Sequence, residues 1–247
     1  MKQKFLLIAV FCIGCTVVTF GQRKPAAKPV TTRPAQAASA TSHSGSRPVS
    51  AIQHQNSGFV EMLPEFEKSG GKPFMDILRD RENVMNLQRD ELQPETLSQI
   101  LWSAYGTTSS NSHTAIQTVD NSGIAIYYLN EKGIFKYEPE MHELTSIRKG
   151  NFTNVLMNNN DNFPIDASSA FIFVYKRDEP ASDGKILTDL EAGINCGAMM
   201  QNIALACSNL DLACIPIPFS DENKSKIING INKPESVVIY GIAVGRK

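Results

Sequence analysis

The sequence predicts an α+β domain, a β-sheet covered by helices around a long central helix. Three observations point there. Apolar, β-branched runs such as "AFIFVYK" (170–176) and "ESVVIYGIAVG" (235–245) read as buried strands and are interleaved with helical patterns. "LEAGINCGAMMQNIALACSNLDL" (190–212) repeats apolar residues at helical spacing over about six turns, with Ala, Gly and Cys permitting close packing. The part of the chain that carries these patterns, 58–247, has the length of one domain with a proper core.

The elements follow in order. "KPFMDILRDREN" spaces Phe74, Ile77, Leu78 and Arg81 as an amphipathic helix. "LQPETLSQILWSAYG" starts with Pro94 near a first turn, is expected to bury Leu97, Ile100, Leu101 and Tyr105, and stops at Gly106. "GIAIYYLNEKGIFKYEPEMHELTSI" reads as a hairpin around "NEKG", and "NNNDNFPIDASS" as loop. After the central helix, "ACIPIPF" is a strand running into a proline turn. In "SDENKSKIING" Ser220 is the expected N-cap and Gly230 the expected stop.

The first 57 residues have a different character. Lys2 and Lys4 precede an apolar run from Phe5 to Phe20, the layout of a secretory signal peptide, with cleavage expected after Gly21. The alternative is a lipoprotein-like signal in which Cys15 of "CIGC" receives a lipid and tethers the chain to a membrane. Residues 22–57 hold four prolines, five Lys or Arg, no acidic and no aromatic residue, so they cannot offset the cost of ordering. They read as a flexible basic tether. The expected location is outside the cytoplasm, in the periplasm or anchored facing it.

All 25 acidic residues fall in 58–247. Of the 24 basic ones, two lie in the signal segment and five in the tether, leaving 17 and a domain net charge of −8. An acidic domain without a basic stripe excludes nucleic acid as the expected partner. Cys196, Cys207 and Cys214 belong to the domain, the last two on a helical pattern and a strand, and all are expected to be buried and inert. His43, His54, His113 and His142 are scattered, with no Cys or His spacing suited to zinc, so no metal site is expected. No Gly-x-Gly-x-x-Gly, serine elbow or phosphate loop occurs.

Three segments in sequence order carry a resemblance: "LSQILWSAYG", "GIFKYEPEMHEL" and "QNIALACSNLDL". They resemble "LSQLLWAAYG", "GVYRYDPETHxL" and "QNLxLAAxxLGL" of the nitroreductase family of FMN proteins, closest to its thiazole/oxazole dehydrogenase branch, and the likeness runs from about Phe74 to Gly245. The resemblance implies a mixed α+β sandwich and a domain-entwined homodimer, with FMN at the subunit interface. It further implies hydride transfer through flavin N5 from a donor to an acceptor by a ping-pong route, the protein supplying orientation and electrostatics.

The family's phosphate-gripping "RRSxR" corresponds here to "RENVM". Arg81 keeps the first arginine, Asn83 replaces the serine, Glu82 a basic residue and Met85 the last arginine. Where the family has a "R-T-x-P-S-A-x-N-x-Q" pattern, this chain has Ile116, Gln117, Asp120 and Ser122 for Pro, Ser, Asn and Gln. In the loop whose backbone N–H meets flavin N5, Pro218 offers no N–H, which leaves Phe219 to supply one. Arg246 matches the basic position near the C-terminus, and Gln201 and Asn202 a pair on the central helix. The candidate cofactor-binding residues are therefore Arg81, Asn83, Asp120, Ser122, Phe219 and Arg246, and no catalytic acid, base or nucleophile is identified. Two functions stay open: an exported FMN-dependent oxidoreductase, or a binding or scaffolding protein whose cleft is empty of flavin or holds another small molecule.

Overall fold

The structure is a computed structural model. It describes residues 59–247 except 110–111, 117–122, 158–164, 179 and 181–183. The expectations for the signal segment, the tether and Cys15 lie outside the described residues, as does most of the "NNNDNFPIDASS" loop. In chain order the elements are β1 (Val60–Met62), α1 (Phe74–Asp80), α2 (Pro94–Tyr105), β2 (Thr107–Ser109), β3 (Ser112–His113), β4 (Ile124–Asn130), β5 (Gly133–Glu138), β6 (Glu143–Lys149), α3 (Asn154–Met157), β7 (Ser169–Lys176), α4 (Asp189–Asn209), β8 (Ala213–Ile217), α5 (Asp221–Ile231) and β9 (Ser236–Gly245).

Seven strands form one sheet in the order β1-β6-β5-β4-β7-β9-β8, and β2 pairs with β3 apart from it. Each named ladder of the large sheet is antiparallel. Among the described residues, parallel pairing enters only as an isolated bridge between Asn83 and Cys214. The α+β class holds, and the mixed character of the sheet is confined to that bridge.

The sheet is buried on both faces where strand β7 is apolar from Ala170 to Tyr175. On β7, Phe171, Phe173 and Tyr175 point into a core shared with α2 and α4. Ala170, Ile172 and Val174 point into a second core shared with α3 and α5. This is the period-2 alternation of a strand used on both sides. Leu97, Ile100, Leu101 and Tyr105 are all buried on α2, as their spacing predicts, and Gly106 caps its end.

The hairpin turn at "NEKG" is set by Asn130, whose Oδ1 accepts from the backbone N–H groups of Lys132 and Gly133 at 2.8 and 3.0 Å. Gly133 is required there: a Cβ would sit 2.3 Å from the Arg148 carbonyl oxygen on β6. α4 opens with a capping box in which Thr188 accepts from the Glu191 N–H and the Glu191 carboxylate accepts from the Thr188 N–H.

Two expectations change. α1 is shorter than its pattern and has no buried residue, with Phe74 61%, Met75 71% and Leu78 40% exposed. Gly230 does not stop α5. The helix runs to Ile231 and ends on Asn232 in the left-handed conformation at φ 54°. Gly230 is instead a packing glycine, since a Cβ would meet the Ile134 side chain at 2.7 Å. Ser220 is the N-cap, accepting from the Asn223 N–H.

Candidate functional site

The segment after α1 runs along the edge of the sheet and brings the candidate residues to its β8 side. The Val84 N–H donates to the Cys214 carbonyl at 3.2 Å, and the Gln88 N–H to the Arg246 carbonyl at 2.9 Å. Between this segment, β8 and the end of α4 lies a cleft of about 230 Å³, lined by Lys72, Arg81, Lys247, Cys207 and Cys214 together with the carboxylates Asp80, Glu82 and Asp211.

The charges in the cleft are not equivalent. Lys72 Nζ is held by Asp211 at 2.6 Å and by the Ser208 carbonyl at 2.8 Å. Lys247 is paired with Glu82, which raises the ammonium's pKa. Arg79, outside the cleft, takes up both Asp76 and Asp80. Among the described residues Arg81 makes no ion pair; its guanidinium donates to the neutral Asn83 Oδ1 at 3.2 Å. The nearby carboxylates Asp76 and Glu82 have other partners, Arg79 and Lys247.

The structure brings Arg81 and Asn83 together. Arg246 is not brought to them: its Nε faces Asp90 at 3.7 Å, and Lys247 lines the cleft. The cause is the two-residue period of extended chain, which sends successive side chains to opposite sides. Phe219 does not line this cleft. Its ring is buried beyond the far end of β8 in the second core, and it closes on Gly241 so tightly that a Cβ there would lie 2.6 Å from it. Pro218 is exposed. Asp120 and Ser122, with Gln117, lie outside the described residues. Asn202 ties α4 to the neighbouring loop by donating to the Thr114 carbonyl at 3.2 Å.

The sequence reading missed Lys72, Lys247 and the pair Cys207 and Cys214. Lys247 was legible in principle, since strand alternation allows only one of two adjacent cations to face a given cleft. Lys72 had no local signal, for its place depends on the return of α4 more than 130 residues later.

The nitroreductase family model matches residues 78–246. The chain belongs to the nitroreductase family. Solved structures bear out the nitroreductase fold. A protein assigned as a nitroreductase from Ralstonia eutropha JMP134 superposes with a TM-score of 0.64 at 22% identity, over 76% of this chain and 89% of that one. A chain of the E. coli microcin synthetase McbBCD complex gives 0.57 at 14% identity, over 83% and 84%. A protein assigned as a nitroreductase from Desulfovibrio desulfuricans, solved in complex with FMN, gives 0.51 at 12% identity, over 72% and 87%. No curated protein matches the chain.

Proposed function

We propose that the domain is an FMN-dependent oxidoreductase of the nitroreductase family, exported and working as a homodimer. The observation that carries this reading is Arg81, a guanidinium with no carboxylate partner among the described residues, facing a cleft that also holds Lys72 and Lys247. A planar fork of N–H donors left available beside two ammonium groups suits a phosphate monoester. The donor set thus fits the phosphate end of the cofactor, with Arg81 as the principal contact, Asn83 orienting it, and Lys247 released from Glu82 as a second contact. Bound FMN supplies two-electron hydride chemistry. The chain's part is to anchor the phosphate and fix the position of the ring.

A cleft of about 230 Å³ accommodates a phosphate and part of a polyol chain but falls below the range of ~300–1,000 Å³ typical of ligand pockets. The rest of the site then requires a second subunit. The exposed apolar residues Leu190 and Ile194 on α4 and Phe74 and Met75 on α1 support such an association, as they form faces that no described residue covers.

One observation favours the alternative of a scaffold without flavin: Glu82 stands where the family has a cation and neutralises Lys247. Visible absorption of the purified full-length chain, titrated with FMN, separates the readings. A flavin spectrum or saturable binding in the micromolar range supports the oxidoreductase. A folded protein that ignores FMN leaves the scaffold.

A further inference from the structure

A second cavity lies away from the Arg81 cleft. That cleft borders β8 at one edge of the sheet, whereas β4, β5, β6 and β1 run from its middle to the other edge. Over these four strands, beside the first turn of α2, the packing leaves a space of about 270 Å³. Its walls are apolar and already withdrawn from water: Leu63 just after β1, Leu97 on α2, Tyr128 on β4 and Leu144 on β6 are each at most 9% exposed. Phe135 on β5 completes an aromatic wall, its ring centroid 6.2 Å from that of its cross-strand partner Tyr128. Folded interiors seldom hold a void much larger than a water molecule, because the lining groups lose their contacts on the empty side. An apolar cavity of ~150 Å³ suffices for benzene. This one has room for a ring and a short chain.

The mouth of the cavity is charged. Glu61, Glu91 and Lys132 line it and are exposed. The Lys132 ammonium is bound to the Glu91 carboxylate. Glu61 makes no ion pair among the described residues, so the mouth carries one carboxylate more than it has ammonium groups. Strand register fixes where that carboxylate stands. Glu61 lies directly opposite Leu144, and opposed residues of an antiparallel pair project to the same face. The Glu61 carboxylate therefore stands at the rim of the apolar wall that Leu144 forms. The positive end of α2, which also borders the space, already has Glu95 in its first turn.

We propose that this cavity binds a small amphipathic amine, an aromatic ring on a short chain that ends in an ammonium group. The ring packs among Phe135, Tyr128, Leu97 and Leu144, where ring–ring contact adds to the removal of apolar surface from water. The ammonium remains at the rim and pairs with Glu61, a charge-assisted contact that a neutral analogue lacks. An anionic analogue meets the unpaired carboxylate and is repelled. The proposal stands independently of flavin binding, since no residue of the Arg81 cleft lines this cavity.

The test titrates the full-length chain at neutral pH with phenethylamine, phenethyl alcohol and hydrocinnamate, following each probe by ligand-observed NMR. The expected result is saturable binding of the amine, about tenfold tighter than that of the alcohol, the worth of one charge-assisted contact, and no saturable binding of hydrocinnamate. Glu61→Gln, at an exposed position, should leave the melting curve unchanged and reduce the amine to the affinity of the alcohol. Leu63→Phe, which fills the space, should abolish binding of both. Amine binding that fails to saturate, that equals the alcohol in the parent, or that survives either substitution unchanged overturns the proposal. Tighter binding of hydrocinnamate overturns it as well, by assigning the mouth to Lys132. Should Leu63→Phe fail to fold, the three probes on the parent and on Glu61→Gln still decide.

Discussion

Arg81 and Arg246 carry the same charge and sit on adjoining strips of backbone, yet the fold gives them different work. Among the described residues Arg81 faces the cleft with its guanidinium donating to Asn83 alone, whereas Arg246 faces Asp90. Arg81→Ala is therefore expected to weaken FMN by the worth of a charge-assisted contact, about 1.5–3 kcal/mol, or roughly 10- to 100-fold in Kd. Arg246→Ala should change Kd by much less, and Lys247→Ala should fall between them because Glu82 already holds that ammonium. Fluorescence titration of the three variants checks the order; an equal loss at Arg81 and Arg246 would return both to one phosphate site. Asn83 and Val84 are locked to Cys214, which fixes where Arg81 stands. A motif records position along the chain, while which of residues 246 and 247 lines the cleft belongs to the pleat.

Elements whose identity depends on their own periodicity were legible: α2 by its four buried positions, β7 by an unbroken apolar run, α4 by its length. Those whose behaviour depends on partners were not, and α1 shows why: its apolar residues have the right spacing, yet Ile77 is half-buried while Phe74, Met75 and Leu78 stay exposed. Thr188→Ala removes one half of the α4 capping box and should cost about 1 kcal/mol, read as a lower denaturation midpoint at unchanged slope. The β1 arm gives a pH-dependent counterpart. His142 Nε2 lies 2.8 Å from Ser98 Oγ, which donates to the Pro64 carbonyl at 2.6 Å, and the Tyr137 hydroxyl lies 3.0 Å from Nδ1. A neutral ring satisfies all of these, donating through Nε2 and accepting through Nδ1. Burial holds His142 below its ordinary pKa of 6.5. As pH falls below 6.5 the unfolded chain binds a proton that the folded one resists, so stability declines until the lowered native pKa is passed and then levels off. Urea melts at intervals between about pH 5.5 and 7 should show that decline, and His142→Gln should flatten it. An unchanged slope in the variant would assign the decline to other groups.

At the scale of the whole molecule two features make sense together: a cleft too small for a complete flavin, and exposed apolar residues on α1 and α4 that no described residue covers. Along α4, Leu190 is 73% and Ile194 49% exposed. Gly193 and Gly197 lie on the same side, with open space where a Cβ would stand. A helix surface that is apolar and locally bare of side chains lets another backbone approach closely, and burying a leucine and an isoleucine from each chain contributes about 1.5–3 kcal/mol per side chain. If the second chain also completes the flavin site, association and cofactor binding are linked, each strengthening the other by the same factor. Leu190→Glu combined with Ile194→Glu places like charges against each other across a two-fold interface, while both positions stay exposed in the single chain. The double variant is expected to fold, to sediment as a monomer, and to lose saturable FMN binding although Arg81, Asn83 and Lys247 are intact. A monomer that binds FMN as tightly as the parent would show instead that one chain holds the entire site, and the cleft would then have to open beyond its present volume to admit the ring.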